Sequence, residues 1–277
     1  MKTKKISAMI IITAAMLMGC KKNGTEPVNN PANSKQFNSN LSSDAWITSA
    51  SVDGISGVLI EGPYKDWIQP KNFVTGINNM YFPLVPGDTL FYLSTSVDAG
   101  VTTVEDIYVT TTHDIKVILG INCVVVHDYV TDNADGKLLE DTYDWYAQDV
   151  RGNVWYFGEN TKKYNPDGTY STEGSFTAGI DGAKGGIIMP GKPHFGQPYH
   201  QEYYVGHAED QGKNLSANNT VAIGYGTFTN CLKTGEYTVL NPSVIENKWY
   251  APGIGHIQTD IKVGGIEHSE LIRIAHE

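Results

Sequence analysis

Four carboxylates and six aromatic rings crowd into one short stretch of this sequence. Asp141-Thr142-Tyr143-Asp144-Trp145-Tyr146-Ala147-Gln148 and Val154-Trp155-Tyr156-Phe157-Gly158-Glu159 flank the turn residues Asp149-Val150-Arg151-Gly152. Asp149 and Gly152 suit the first and fourth positions of a type I turn. This predicts a hairpin with a three-residue loop and Gly152 in the left-handed region. The register then pairs Gln148 with Val154, Ala147 with Trp155, Trp145 with Phe157 and Tyr143 with Glu159. Alternation along each strand collects Asp141, Tyr143, Trp145, Ala147, Trp155, Phe157 and Glu159 on one face. Glu140, Thr142, Asp144, Tyr146, Gln148, Val154 and Tyr156 fall on the other. The aromatic face is expected to point inward and the more polar one to water. A two-residue turn would instead set Asp144 directly opposite Glu159, so either register brings two carboxylates together on an aromatic sheet.

Rings beside carboxylates suit a sugar, an organic cation or a divalent metal. Paired carboxylates also do general acid–base work, their separation deciding the stereochemistry of glycoside hydrolysis. The plainer alternative makes the rings core and lets the acids cap the sheet rim or pair with Arg151, Lys162 or Lys163. The ligand-binding candidates are therefore Asp141, Tyr143, Trp145, Trp155, Phe157 and Glu159. No dedicated metal site or cofactor is expected, a divalent metal at the carboxylates being the one exception to weigh.

Other constellations are weaker. His194, His200 and His207 lie near Glu202, Glu209 and Asp210, and a strand would put His200, Glu202 and Tyr204 on one face, yet no compact two-histidine metal spacing occurs. Asp132-Asn133-Ala134-Asp135-Gly136 resembles a calcium loop but departs from the pattern at its third and fifth positions, so it reads as a hairpin turn. Nucleophile-elbow, phosphate-loop and dinucleotide motifs are missing.

The elements that must position these residues are strands. Segments rich in β-branched and aromatic residues recur at Thr89–Thr95, Val101–Thr112, Ile121–Val130, Leu138–Gln148, Val154–Glu159 and Gly168–Ala178. They continue at Tyr199–His207, Thr220–Ile223, Leu232–Leu240, Glu246–Tyr250, Gly255–Lys262 and Glu267–Ile274. Turn chemistry separates them, and no long apolar run has helical period. The expected fold is all-β: a single antiparallel meander forming a strongly curved sheet or open barrel, with little helix. Gly179–Pro198, dense in glycine and proline, is expected to be either a lid or a structural crossover rather than a regular central strand.

At the N-terminus a lysine-bearing start and the apolar run Ile6–Met18 lead into Leu17-Met18-Gly19-Cys20. The parts are those of a signal peptide, and the apolar run is short for a bilayer span. The last four residues resemble the lipobox of bacterial lipoproteins, which implies cleavage before Cys20 and acylation of its thiol. Loss of the leader would leave 17 basic against 30 acidic residues. That balance disfavours a nucleic-acid partner. The expected organisation is a signal peptide over 1–19, a disordered tether over 20–40, a β extension of uncertain role over 41–75 and an antiparallel β domain over 76–277. The expected location is the bacterial envelope, lipid-anchored on the periplasmic face of the outer membrane or at the cell surface. Cys123 and Cys231 then form an even pair in an oxidising compartment, and a disulfide between them is expected.

Asp141–Asp149, Gly152–Glu159, Tyr81–Gly87, Gly186–Pro190, Gln201–Tyr204 and Tyr250–Gly255 resemble a widespread family of bacterial secreted proteins and lipoproteins without an assigned activity. The resemblance runs from about Gly76 to the C-terminus and implies a secreted β domain without indicating catalysis. The leading expectation is a non-catalytic binding or interaction module. A carboxylate-dependent hydrolase acting on carbohydrate and a structural envelope lipoprotein are the alternatives. The partners considered are the membrane through its lipid, a saccharide or other small molecule, and another envelope protein.

Overall fold

The computed structural model describes residues 64–277. The signal peptide, Cys20, the tether and residues 41–63 lie outside the described residues. Residues 64–75 carry two short helical turns, Tyr64–Trp67 and Pro70–Asn72. A small hairpin follows, β1 (Ile77–Asn79) and β2 (Phe82–Leu84).

The wall is a meander of long strands: β3 (Thr89–Asp98), β4 (Val101–Ile118), β5 (Ile121–Asp132), β6 (Leu138–Gln148) and β7 (Val154–Tyr164). Short strands β8 (Tyr170–Ser171) and β9 (Phe176–Thr177) fold back on β7. Then come β10 (Lys184–Met189), β11 (Tyr199–His200), β12 (Glu202–Tyr203), β13 (Asp210–Ile223) and β14 (Gly226–Thr238). The chain ends with β15 (Asn241–Ala251), β16 (Gly255–Val263) and β17 (Ile266–Ala275). The main path runs β11-β13-β14-β15-β16-β17-β3-β4-β5-β6-β7-β10-β12, with antiparallel pairing throughout. The expected all-β antiparallel fold is therefore what forms, its strongly curved sheet nearly closed into a barrel.

Its two ends, β11 and β12, are separated in sequence by Gln201 alone. Tyr199 and His200 pair with Gly212 and Gln211 of β13, while Glu202 and Tyr203 pair with Gly185 and Lys184 of β10. One short segment thus closes the wall as a seam. Closure requires a close approach, because a Cβ on Gly186 would lie 2.4 Å from the carbonyl carbon of Gln201. The structure corrects the expectation for Gly179–Pro198. Its apolar triplet Ile187-Ile188-Met189 is buried wall strand in β10; Gly186 supplies room for the seam, and Gly185 and Gly191 for the close approach of β7 and the β6–β7 turn.

Apolar packing forms two clusters. One includes Tyr92, Ile107, Val126, Tyr146, Tyr156, Met189, Tyr250 and Leu271. The other brings Cys123, Val125, Trp145, Trp155, Phe157 and Ile187 together with Ile68, and Tyr64, Trp67 and Phe73 pack against it. The β1–β2 hairpin is pinned beside the β6–β7 turn: Asn79 Nδ2 donates to the carbonyls of Gly152 (2.8 Å) and Pro190 (3.1 Å). Gly253 N donates to Met80 O at 2.7 Å, tying the Tyr250–Gly255 segment to the residue before Tyr81–Gly87.

The structure also corrects the expected disulfide. Cys123 and Cys231 are free, buried thiols. They belong to different clusters, on strands separated by five others along the sheet, so no bridge can form without moving the wall. Burial pushes the Cys123 thiol up to about 12, so it is a packing group rather than a nucleophile.

Candidate functional site

The β6–β7 hairpin forms with the expected turn. Gly152 has φ +85°, Gly152 N donates to Asp149 O, and Gln148 pairs with Val154. Asp149 organises the loop: its carboxylate accepts the backbone N–H of Arg151 and Asn153, the Asn153 side-chain amide and the Trp155 indole N–H at 2.8–3.0 Å. Beyond the turn the register departs from expectation. Trp145 faces Gly158, Tyr146 faces Tyr156, and a bulge absorbs Phe157. Gly158 sits at φ +131° and a Cβ there would lie 2.2 Å from Phe176 O, so β9 can pair only if residue 158 lacks a side chain. The bulge sets Asp144 directly opposite Glu159.

This geometry splits the six predicted ligand residues into three groups. Trp155 and Phe157 are sealed beneath Tyr64 and Phe73, with ring centroids 5.5–6.2 Å apart. Trp145 is buried too, with Lys116 Nζ 3.8 Å from the centre of its ring. Asp141 and Tyr143 are partly solvent-exposed on the same side of β6, and Glu159 is buried beside Tyr156. The expected orientation is therefore reversed. The aromatic face looks outward and is covered by residues 64–73, while the polar face lines the barrel. Apart from Asp141 and Tyr143, the strand residues of both faces nearest the turn are buried, so amphipathicity alone could not say which was inside.

The interior is rich in carboxyl groups. Asp144 and Glu159 share the Tyr156 hydroxyl, which lies 2.7 Å from Asp144 Oδ1 and 3.0 Å from Glu159 Oε2. One phenol carries one proton, so both contacts are hydrogen bonds only when one carboxyl is itself protonated. Burial pushes Asp144 up to about 7, against the pull of the Tyr156 bond, and drives Glu159 well above the usual carboxylate range. Asp128 is driven up by burial and then by the charges of Asp144, Glu140 and Glu159. Across the barrel, Lys248 Nζ bridges Glu236 Oε2 (2.8 Å) and Glu246 Oε2 (3.3 Å). Burial opposes ionisation of Glu236, yet Lys248 holds it below its ordinary value. Among the described residues, no three His, Cys, Asp or Glu side chains are spaced to hold a metal ion.

A second arrangement was not anticipated from sequence. Across β17, β3, β4, β5 and β6 runs a row of Arg273, Phe91, Tyr108, Tyr129, His127 and Tyr143. The Arg273 guanidinium lies 3.3 Å from the Phe91 ring centre, and Phe91 meets Tyr108 edge-on at 5.4 Å. Tyr108 and Tyr129 stack at 4.5 Å, and His127 and Tyr143 at 4.3 Å, the two rings of each pair nearly parallel. His127 Nε2 contacts Asp141 Oδ1 at 2.7 Å. All these side chains keep some exposure, and Tyr143 is 38% exposed. The signal in the sequence was alternation: Tyr108, His127, Tyr129 and Tyr143 occupy the positions between buried residues of their strands.

Of the histidines near Glu202, His200 is buried and its imidazole is pushed down to about 4, chiefly by burial. His207 stacks on Tyr204 at 4.4 Å, and Asp132–Gly136 is a hairpin turn with Gly136 at φ +72°.

No protein-family model matches the chain, and no curated protein is detectably related to it. Two solved structures resemble it. One, from Bacteroides fragilis, is described as an exported protein with a YmcC-like fold, at 16% identity and a TM-score of 0.39. The other is described as a lipoprotein of Parabacteroides distasonis, at 11% identity and a TM-score of 0.40. Each match covers 71% of this chain and 99% of the other. Likenesses this distant carry no argument about activity.

Proposed function

We propose that this chain is a non-catalytic interaction module of the bacterial envelope, tethered by lipid at Cys20, and that its partner is a protein docking on the Tyr108–Tyr129–His127–Tyr143 row. The lipobox-like Leu17–Cys20 supports the location. The observation that carries the partner class is ring orientation. Tyr108 and Tyr129 cover each other's faces, as do His127 and Tyr143, and Arg273 caps Phe91. A sugar stacks on an open ring face, and each stack already takes up one face of both its rings. Tyrosine and arginine dominate the energetics of protein interfaces. Here cross-strand stacking already restrains their rotamers, which lowers the entropy lost on docking. Arg273 and the His127–Asp141 pair give the row polar ends that can fix a partner's orientation.

Photo-crosslinking in living cells tests this reading. The full chain would carry benzoylphenylalanine at Tyr143, Tyr108 or, as a control away from the row, exposed Tyr170. The expected result is one discrete protein adduct from Tyr143 and Tyr108 and none from Tyr170. Adducts of equal yield at all three positions, or none at the row, would refute it.

A second reading has one observation in its favour. Trp145 and Glu159, two of the predicted ligand residues, both line an open cleft of about 350 Å³ with Lys116, Asn160, Asp181 and Tyr204. A saccharide held there would quench tryptophan fluorescence on titration, and Lys116→Ala would weaken the response. The hydrolase alternative is poorly served by this cleft, because Asp141, the carboxylate expected to work with Glu159, pairs with Lys162 instead and lies outside its lining.

A further inference from the structure

The barrel seam is short, and the side chain at its centre faces other acids. Glu202 is fully buried, and the charges that act on it are those of Asp210 on β13, Glu159 on β7 and Asp144 on β6. The Asp210 backbone N–H donates to its carboxylate. Oxygens of three of these groups lack a hydrogen-bond partner among the described residues: Glu202 Oε1, Asp210 Oδ1 and Asp144 Oδ2.

The nearby cations already have other acids to serve. Asp210 also feels Glu246, Lys248 and Glu236, and accepts a bond from Thr238, but Lys248 is already engaged by Glu236 and Glu246. Lys163 acts on Glu159, and Glu140 adds to both Glu159 and Asp144. His200, next but one to Glu202, is driven toward its neutral form by burial and by Lys184. The Tyr156 hydroxyl supplies a single proton to Asp144 and Glu159 together.

We propose that the Tyr199–Tyr203 seam is a pH latch: Glu202 and Asp210 hold the barrel shut while they keep their protons, and ionisation releases the seam from β10 and β13. The topology makes the seam the weakest closure in the wall. It is held by two residue pairs on each side, whereas β3 and β4 share ten. Two carboxylates ionised in this pocket, with Lys248 committed elsewhere, repel across the joint of the main path with the fewest pairs to resist. Release exposes the interior without unfolding β3–β7, because those strands pair only with one another and with β17, β8, β9 and β10.

Hydrogen exchange of the full chain from about pH 6 to pH 9, corrected for intrinsic rates, tests the latch. Each proton linked to opening changes the opening constant about tenfold per pH unit. The expected result is that protection of 199–203 falls at least about tenfold relative to β5, and that Glu202→Gln with Asp210→Asn abolishes the fall. A constant ratio between seam and β5 would overturn the proposal, as would an unchanged fall in the double variant. Recovery of seam protection on adding calcium or magnesium to the wild-type chain, absent in the double variant, would overturn it in favour of a metal site. If the double variant does not fold, Glu202→Gln alone decides by the same criterion.

Discussion

The interior groups of this barrel are chemically unequal, and two substitutions separate them. Lys248 is the ammonium between Glu236 and Glu246, and their charges hold its proton against the pull of burial. Lys248→Met leaves two buried carboxyls without their counter-charge, at a cost of about 3–5 kcal/mol. Denaturant unfolding at neutral pH measures this, and the deficit should shrink in acid as Glu236 protonates. Tyr156→Phe removes the hydroxyl shared by Asp144 and Glu159 while keeping the ring in its stack on Tyr146 at 5.0 Å. Its expected cost is about 1–3 kcal/mol, the penalty for a lost buried hydrogen bond. If Tyr156→Phe were neutral, the carboxyls would already be satisfied by each other or by water. At this scale the sequence was partly legible: Glu159 and Asp144 were paired by one of two registers considered. That the register depended on a bulge at Gly158 could not be read locally, because the bulge answers to β9, eighteen residues further on.

Strands and turns were easier to read than faces. Leu138–Gln148 was bounded as observed, and the Asp149–Gly152 turn formed with Gly152 at positive φ. Local β-propensity and turn chemistry suffice for such features. β10 was not recognised, because glycine and proline argue against a central strand unless another backbone must approach closely. Here it does, and a substitution at Gly186 reports on it. Its φ is not in the left-handed region, so Gly186→Ala meets no backbone strain, only the Gln201 carbonyl group and the His200 carbonyl oxygen, 2.4–2.5 Å from the added carbon. The expected cost is about 1–3 kcal/mol of overpacking. It should concentrate at 199–203, where hydrogen exchange accelerates while β5 and β6 keep their protection. Uniform acceleration would mean that seam and wall open as one unit.

The molecule as a whole should respond to pH in the opposite sense from a protein stabilised by paired carboxylates. Burial, with neighbouring acids adding to it, pushes Glu105 and Glu267 up to about 8. Burial likewise pushes Asp210 up to about 8 and Asp144 to about 7. The unfolded chain releases these protons near pH 4, whereas the folded chain holds them until roughly pH 7–8. Between those limits the folded state binds more protons than the unfolded one, so stability is full below about pH 4 and falls as pH rises through the folded values. Glu236 contributes with the opposite sign: its depressed value adds stability above the ordinary glutamate range, which is lost in acid. His200 and His256, held neutral by burial, act in the same sense as Glu236 below the ordinary histidine range. The four raised carboxyls outweigh these three, so the melting temperature should be highest in mild acid, decline to about pH 8 and then level off. Calorimetry across about pH 4–9 checks the curve, and Glu105→Gln with Glu267→Gln should flatten it, since a glutamine binds no proton in either state. A melting temperature that climbs from pH 5 to pH 8 would mean that the interior acids are ionised in the folded barrel and matched by cations other than Lys248.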